Sequence, residues 1–290
     1  MSMSARRLTR LGLLIALGLV LNLLERQFPP PVPVPGVRLG LANLATLMAL
    51  LIDGPGGAFM VWLLRFVLAG MLSGSLFAPG FLVGGAGGLA AWAVMAAIRP
   101  GRRFGVGTVS VGGAAAHHLG QLAAAAVLTS TPGVLTLLWP MLALGVPTGL
   151  LTGFAASLLA HRLPGFPGVS GAGRAVTRAD LALGAAGAVV AIAVAFWPGS
   201  GALGSAAEVS QAGQVILTLD LTKDGLYPIP RLLVEVHEGA VRVLEAECPD
   251  QVCVVTGWVR HPGDLVVCAP NRTVIRITGE DPDAPDAILR

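Results

Sequence analysis

The sequence predicts an α-helical polytopic membrane bundle, made of six helices plus one tethering helix, followed by a small mostly β extracytoplasmic domain. Three observations predict this class. Hydrophobic residues make up 54% of the 290 residues and charged residues 12%, whereas about 25% are charged in ordinary soluble domains. Residues 1–198 carry 12 arginines and 3 acids, and residues 199–290 carry 7 bases and 13 acids, which gives formal charges of +9 and −6. Long apolar runs occupy the basic part, and short alternating runs occupy the acidic part.

Seven apolar stretches approach the length of about 20 residues that a helix needs to cross a hydrocarbon core about 30 Å thick. They cover about 8–24, 39–52, 56–72, 79–98, 106–128, 134–160 and 181–197. Segments rich in Gly and Pro separate them. We therefore predict a six-helix membrane domain at 1–163, a cytoplasmic linker at 164–180, a seventh helix at 181–198 and an extracytoplasmic domain at 199–290.

Arginine clusters orient the predicted spans. They precede the first span, follow the fourth, and lie between the sixth and seventh. All three fall on one side of the membrane if every span is real, and cytoplasmic loops accumulate Lys and Arg near span ends. A multi-pass cell-membrane protein with a cytoplasmic amino terminus is expected.

Polar residues inside the spans are the candidate binding residues, since such residues are costly in a membrane. Arg65 lies in the third span, Asn43 in the second, and His117 and Gln121 lie four residues apart on one face of the fifth. They either fasten the bundle through interhelical hydrogen bonds or line a cavity in which Arg65 faces a negatively charged ligand. The predicted mouth of that cavity comprises Glu25, Arg26 and Arg38.

Residues 208–279 alternate as strands do, and HEGA and HPGD are predicted to be tight hairpins. All three cysteines, Cys248, Cys253 and Cys268, fall in or beside this pattern. Outside the membrane they are expected to form a disulfide; a redox pair or a metal or cofactor ligand is the alternative. Zinc is disfavoured, because four residues separate the first two cysteines and no fourth ligand is obvious apart from His237 or His261. No metal site is predicted.

Several function classes lack sequence support. The chain has no Walker motif, no GxSxG and no acidic prenyl-diphosphate motif, so no catalytic residue is assigned and enzymatic activity is not expected. The outer domain is acidic, whereas contacts to nucleic-acid phosphates need Lys and Arg. No nucleic-acid partner is expected.

Two resemblances extend this picture. CPDQVCVVTGWVRHPGDLVVCAPNRTVIRI resembles the stand-alone NusG domain II proteins, which implies an exported β domain often encoded beside membrane redox and flavin-linked proteins. PVPGVRLGLANLATLMALL, Arg65 and AAAHHLGQL resemble the Gx transporter family, labelled heptaprenyl diphosphate synthase component I, which is similar to the six-helix substrate-binding subunits of energy-coupling factor transporters. His118 stands where that family has Asn.

These resemblances imply an integral membrane component that binds or passes a small amphipathic molecule (quinone, isoprenoid or flavin-like) in extracytoplasmic electron transfer. No cofactor is built in by a motif, and a flavin or quinone is compatible with this reading. The expected partners are membrane lipid, the small amphipathic ligand and a flavoprotein or redox protein outside. One alternative is a vitamin-capture subunit driven by a cytoplasmic ATPase module. The other is a non-catalytic scaffold for a secreted partner.

Overall fold

The computed structural model describes residues 4–27, 40–98, 104–130, 132–162, 203–248 and 251–279, with a few positions between 180 and 189. The chain divides into two compact units. The helical unit includes residues 37–124 and 137–196, and the second unit includes residues 197–290. The predicted linker and seventh helix lie almost wholly outside the described residues.

The described part of the helical unit contains five long helices, one of them broken. They are α1 Ala5–Gln27, α2 Leu41–Leu72, α3 Pro79–Ile98, α4 Val106–Thr129 and, after a 3₁₀ turn at Pro132–Leu137, α5 Leu138–Arg162.

A break at Gly54, with φ 75° and ψ −169° and followed by Pro55, divides α2 into two helical segments. The side chains of Thr46 and Arg65 are hydrogen-bonded across it, although 19 residues of straight helix would separate them by about 28 Å. The two halves therefore fold back on each other. Counted this way, residues 5–162 as described hold six helical segments, which confirms the predicted class.

Four of the described helical stretches are long and apolar enough to cross a membrane: Ala5–Glu25, Leu41–Leu72, Pro79–Ile98 and Val134–Ala160. The helix α4, predicted as the fifth span, is not among them. It carries Thr108, Ser110, His117, His118 and Gln121, which lower its hydropathy. Leu13, Leu17 and Val20 of α1 are exposed, as expected for side chains that face lipid.

The second unit is built from two antiparallel sheets. The strands are β1 Ala206–Gln211, β2 Gln214–Asp220, β3 Gly225–Ile229, β4 Leu232–His237, β5 Ala240–Ala246, β6 Leu265–Cys268 and β7 Thr273–Thr278. One sheet has the order β2-β1-β7-β6 and the other β3-β4-β5. A single turn of helix, α6 Val252–Val255, precedes β6. Val209, Val234 and Ile275 are fully buried in the core of this unit, which confirms a mostly β domain.

The two predicted hairpins have different outcomes. HEGA joins the paired strands β4 and β5, and Glu238 and Gly239 both have positive φ, as a tight hairpin turn requires. HPGD forms a turn in which Asp264 N donates to His261 O at 2.9 Å. The prediction of a hairpin there was wrong, because Val259 pairs with Val241 while β6 pairs with β7. A Pro-Gly turn signal shows that the chain reverses but does not identify the partner strands.

Candidate functional site

Arg65 is a buried cation in the middle of the helical unit. It lies 11 residues after Gly54, about 16 Å along the helix, and so near half the thickness of a hydrocarbon core. The residue is 8% exposed. Its Nη2 donates to Thr46 Oγ1 at 3.4 Å, but its buried Nε has no hydrogen-bond partner among the described residues. Arg65 therefore retains an N–H donor for a further group.

One face of α1 is shaped to receive this arginine. A Cβ added at Gly18 would lie 2.6 Å from Cδ of Arg65 and 3.0 Å from Cβ of Ala45, so glycine leaves the space that the arginine occupies. Asn22 and Glu25 follow at i+4 and i+7 and share that face. Gly18 is thus the steric feature that allows α1 and α2 to meet around Arg65.

Two polar side chains on this face of α1, Glu25 and Asn22, accompany Arg65. Glu25 is 8% exposed, attracts Arg65 electrostatically and accepts a hydrogen bond from Gly40 N at 2.6 Å. Asn22 Oδ1 is buried with no hydrogen-bond partner among the described residues. We refer to Asn22, Glu25, Thr46 and Arg65 as the Arg65 cluster. Asn22 is not among the residues predicted from the sequence, in which an amide within an apolar run was its only signal.

The remaining predicted residues of α1, α2 and their connection are Asn43, Arg26 and Arg38. Asn43 is half-buried, three residues before Thr46 and therefore beside it on the same half of α2. Arg38 and the side chain of Arg26 fall outside the described residues. The predicted mouth is therefore represented here only by Glu25.

The predicted residues of α4 pack on α3. A Cβ added at Gly87 would lie 2.6 Å from Cγ of Gln121 and 3.0 Å from Cε1 of His117. His118 Nδ1 lies 3.4 Å from Gln121 Oε1, and its ring approaches Gly145 of α5. His117, His118 and Gln121 thus lie among α3, α4 and α5, whereas the contacts described for Arg65 are with α1 and α2.

A buried ion pair fastens one end of the helical unit. The carboxylate of Asp53, whose side chain is 3% exposed, accepts hydrogen bonds from Arg10 Nε at 3.0 Å and from Arg10 Nη2, and Arg7 Nε lies 3.4 Å from Oδ1. Because α2 folds back at Gly54, its turn returns to the end where α1 begins. The sequence marks these arginines as an orientation signal but does not identify Asp53 as their partner.

Removing the negative charge of Asp53 is expected to destabilise the helical unit. Asp53→Asn keeps the shape but leaves two arginines without a buried counter-charge, and it should lower the free energy of unfolding by about 1–2 kcal/mol, because both arginines are partly exposed. Denaturant titration in detergent measures this. The exposed Asp224→Asn in the second unit is the control, and an equal effect of the two changes would contradict the assignment.

The three cysteines meet in the second unit. Their sulfur atoms all lie within 4.8 Å of one another, and all three are free thiols. Cys253 on α6 and Cys268 at the end of β6 are buried, whereas Cys248 after β5 is half-buried. Asn271 Nδ2 donates to Cys268 Sγ at 3.3 Å. Gln251 Nε2, which donates to Cys248 O at 2.7 Å, also lies 3.9 Å from Cys248 Sγ.

The three thiols differ in acidity. The hydrogen bond from Cys253 lowers the pKa of Cys268 to about 6; the N–H groups of Asn271 act in the same direction, and burial opposes them. Donating that hydrogen bond, together with burial, raises the pKa of Cys253 far above its usual range. Burial, followed by the negative charge of Cys268, raises the pKa of Cys248. The cluster therefore carries one thiolate near neutral pH.

This difference predicts a titration. In the reduced protein one thiolate per chain should appear in the ultraviolet absorbance near pH 6, because Cys268 is protonated below its pKa of about 6 and ionised above it. Cys268→Ser should remove this step, while Asn271→Ala should shift it to higher pH. If all three thiols ionised only near the ordinary value of about 8.5, the assignment would be wrong.

The fold and these sites define a multi-pass membrane protein with an appended β domain. The chain belongs to the family described as Heptaprenyl diphosphate synthase component I, whose profile matches residues 14–159, half of the chain. The NusG domain II profile matches residues 182–281. Both resemblances predicted from the sequence are thereby confirmed.

Solved structures are similar to about a quarter of the chain. A DUF1312 family protein from Ruminococcus gnavus ATCC 29149 is 31% identical, covering 26% of this chain and 97% of its own, with a TM-score of 0.25. The Lin0431 protein from Listeria innocua is 32% identical, covering 26% of this chain and 95% of its own, also with a TM-score of 0.25. No curated protein matches the sequence.

Proposed function

We propose that this chain is an integral membrane component that binds or passes a small amphipathic molecule, such as a quinone, isoprenoid or flavin-like compound, in an extracytoplasmic electron-transfer system. The observation that carries the proposal is the buried Nε–H of Arg65, which has no acceptor among the described residues. A buried donor left unsatisfied costs about 1–3 kcal/mol, and more when it is charged. A ligand oxygen that accepts this hydrogen bond would remove the cost.

The charge around Arg65 narrows the ligand class. Glu25 already offsets the arginine, so the Arg65 cluster does not supply the several positive charges that a diphosphate would need. A carbonyl oxygen of a quinone or flavin-like ring suits one free N–H. The apolar helices around the cluster offer surface for an isoprenoid chain. The Arg65 cluster therefore favours a neutral or singly charged headgroup.

The orientation of the protein is part of the proposal. Arginines at the Asp53 end of the bundle support a cytoplasmic amino terminus, which would place residues 199–290 outside. There the three thiols would exchange electrons with, or dock, a flavoprotein or other redox partner. Protease added to intact spheroplasts should digest residues 199–290, and complete protection would contradict this orientation.

A vitamin-capture subunit is the second candidate. The exposed face of α1 supports this candidate. Gly12 has no atom within 4 Å of an added Cβ, and Leu13 and Leu17 are exposed. A helix that docks on a coupling protein would require such an open face. In this candidate the Arg65 cluster would hold a water-soluble vitamin. Copurification of a cytoplasmic ATPase module would favour it.

The experiment that tests the proposal is native mass spectrometry of the gently purified protein, followed by extraction and identification of small molecules. We expect a quinone, isoprenoid or flavin-like compound at up to one per chain, and a flavoprotein among the copurified partners. A water-soluble vitamin would favour uptake instead. An empty protein that retains a tightly bound secreted partner would favour the scaffold and overturn the proposal.

A further inference from the structure

We propose that Cys248, Cys253 and Cys268 form a three-coordinate site for a soft monovalent metal ion, with Cu(I) as the representative ion. The proposal rests on the arrangement of the thiols and not on the Arg65 cluster; it gives the three thiols metal binding in place of the direct electron exchange proposed above. Each cysteine offers one sulfur ligand, and the three sulfurs form one mutually close group.

The spacing of the sulfurs fits one central ion. With a metal–sulfur bond of about 2.3 Å, three sulfurs around an ion in their plane lie about 4 Å apart. All three sulfurs already lie within 4.8 Å of one another, so small side-chain movements would complete the site. A disulfide would instead join two sulfurs at about 2 Å and leave the third outside the bond.

The type and number of ligands select the metal. Thiolates are soft ligands that favour Cu(I), zinc or iron–sulfur clusters. Structural zinc is almost always four-coordinate, and the group found among the described residues holds these three cysteines without a fourth His, Cys, Asp or Glu. Three thiolates therefore suit Cu(I) better than zinc. On binding, the ion displaces the remaining thiol protons and stays in the +1 state, so no oxidant or reductant is consumed.

The burial and hydrogen bonding of the three cysteines suit a metal site. Cys253 and Cys268 are 1% and 3% exposed, which shields the ion from water, while the half-buried Cys248 provides an entry side. Asn271 donates to Cys268 Sγ at 3.3 Å, and such donors orient thiolate ligands and offset their charge. Asn271 is accordingly a positioning residue.

The test is a titration of the full-length, reduced, metal-free protein in detergent with Cu(I), in competition with bicinchoninate. We expect one Cu(I) per chain, three sulfur neighbours by X-ray absorption, and affinity losses of about 100-fold or more for each Cys→Ser variant. Asn271→Ala should lose about 10-fold, as is typical of groups that support ligands. His237→Ala, an exposed imidazole of the same domain, should bind Cu(I) as the wild type does.

Other outcomes would overturn the assignment. Equal affinity in the wild type and the partly exposed Cys248→Ser, which is the variant least disruptive to folding, would show that the three sulfurs do not act together. Tighter binding of Zn(II) than of Cu(I) would show the wrong metal class. A disulfide between two of these cysteines, found after thiols are trapped at cell lysis, would replace the metal site with a covalent bond.

Discussion

Arg65→Ala is expected to empty the helical unit of its bound molecule. The arginine is 8% exposed and holds a buried N–H without a protein acceptor among the described residues, so its removal takes away the group proposed to anchor the headgroup. Loss of a buried, charge-assisted hydrogen bond of this kind costs about 1.5–3 kcal/mol, which corresponds to a roughly 10- to 100-fold weaker ligand. The measurement is the amount of extracted small molecule per chain after identical purification.

Two further variants make this result specific. Arg65→Lys keeps the charge but not the planar N–H groups, so it should retain only part of the ligand. Arg162→Ala removes an exposed arginine from α5 and should retain all of it. If Arg65→Ala retained the bound molecule in full, Arg65 would not be a ligand-binding residue.

Gly120→Ala is expected to cause a large loss of stability in the helical unit. A Cβ at Gly120 would lie 2.8 Å from the backbone oxygen of Ala86 and 3.0 Å from Cα of Gly87. Backbone atoms cannot rotate away as a side chain does, so α3 and α4 would have to separate. Overpacking of this kind costs about 1–3 kcal/mol, and thermal unfolding in detergent should shift down by about 5 °C.

The matched control is the same substitution on an open face. Gly12 of α1 has no atom within 4 Å of an added Cβ, so Gly12→Ala should be neutral or slightly stabilising, since alanine favours helix more than glycine does. Because His117 and Gln121 share the α3–α4 contact, Gly120→Ala should also alter their environment. Equal melting temperatures for the two variants would contradict the close packing of α3 on α4.

The class of this protein was predictable because membrane spans are local features. A run of apolar residues is visible without knowing its neighbours, and so are the arginines at its ends. Arg65 was found for the same reason: one charge in the middle of an apolar run is conspicuous. The β domain was recognised from alternating residues and from the order of its Cys, Pro, Trp and Asn positions.

What could not be predicted depends on contacts between distant segments. The pairing of Asp53 with Arg10 follows only once α2 is known to fold back at Gly54. The contacts of each predicted site residue depend on which neighbour its helix face meets, and helical periodicity gives the face without its partner. Likewise, Cys248 and Cys268 are 20 residues apart, and their closeness results from the positions of β5 and β6 around the domain core.

The most direct test of a ligand site at the Arg65 cluster is photoaffinity labelling of the full-length protein with a quinone analogue that carries a diazirine, followed by peptide mapping. We expect labelling of the α1 and α2 segments around Gly18, Thr46 and Arg65, competed by unmodified quinone and lost in Arg65→Ala. Competed labelling confined to α5 or to the β domain, unchanged in that variant, would contradict a ligand site at the Arg65 cluster.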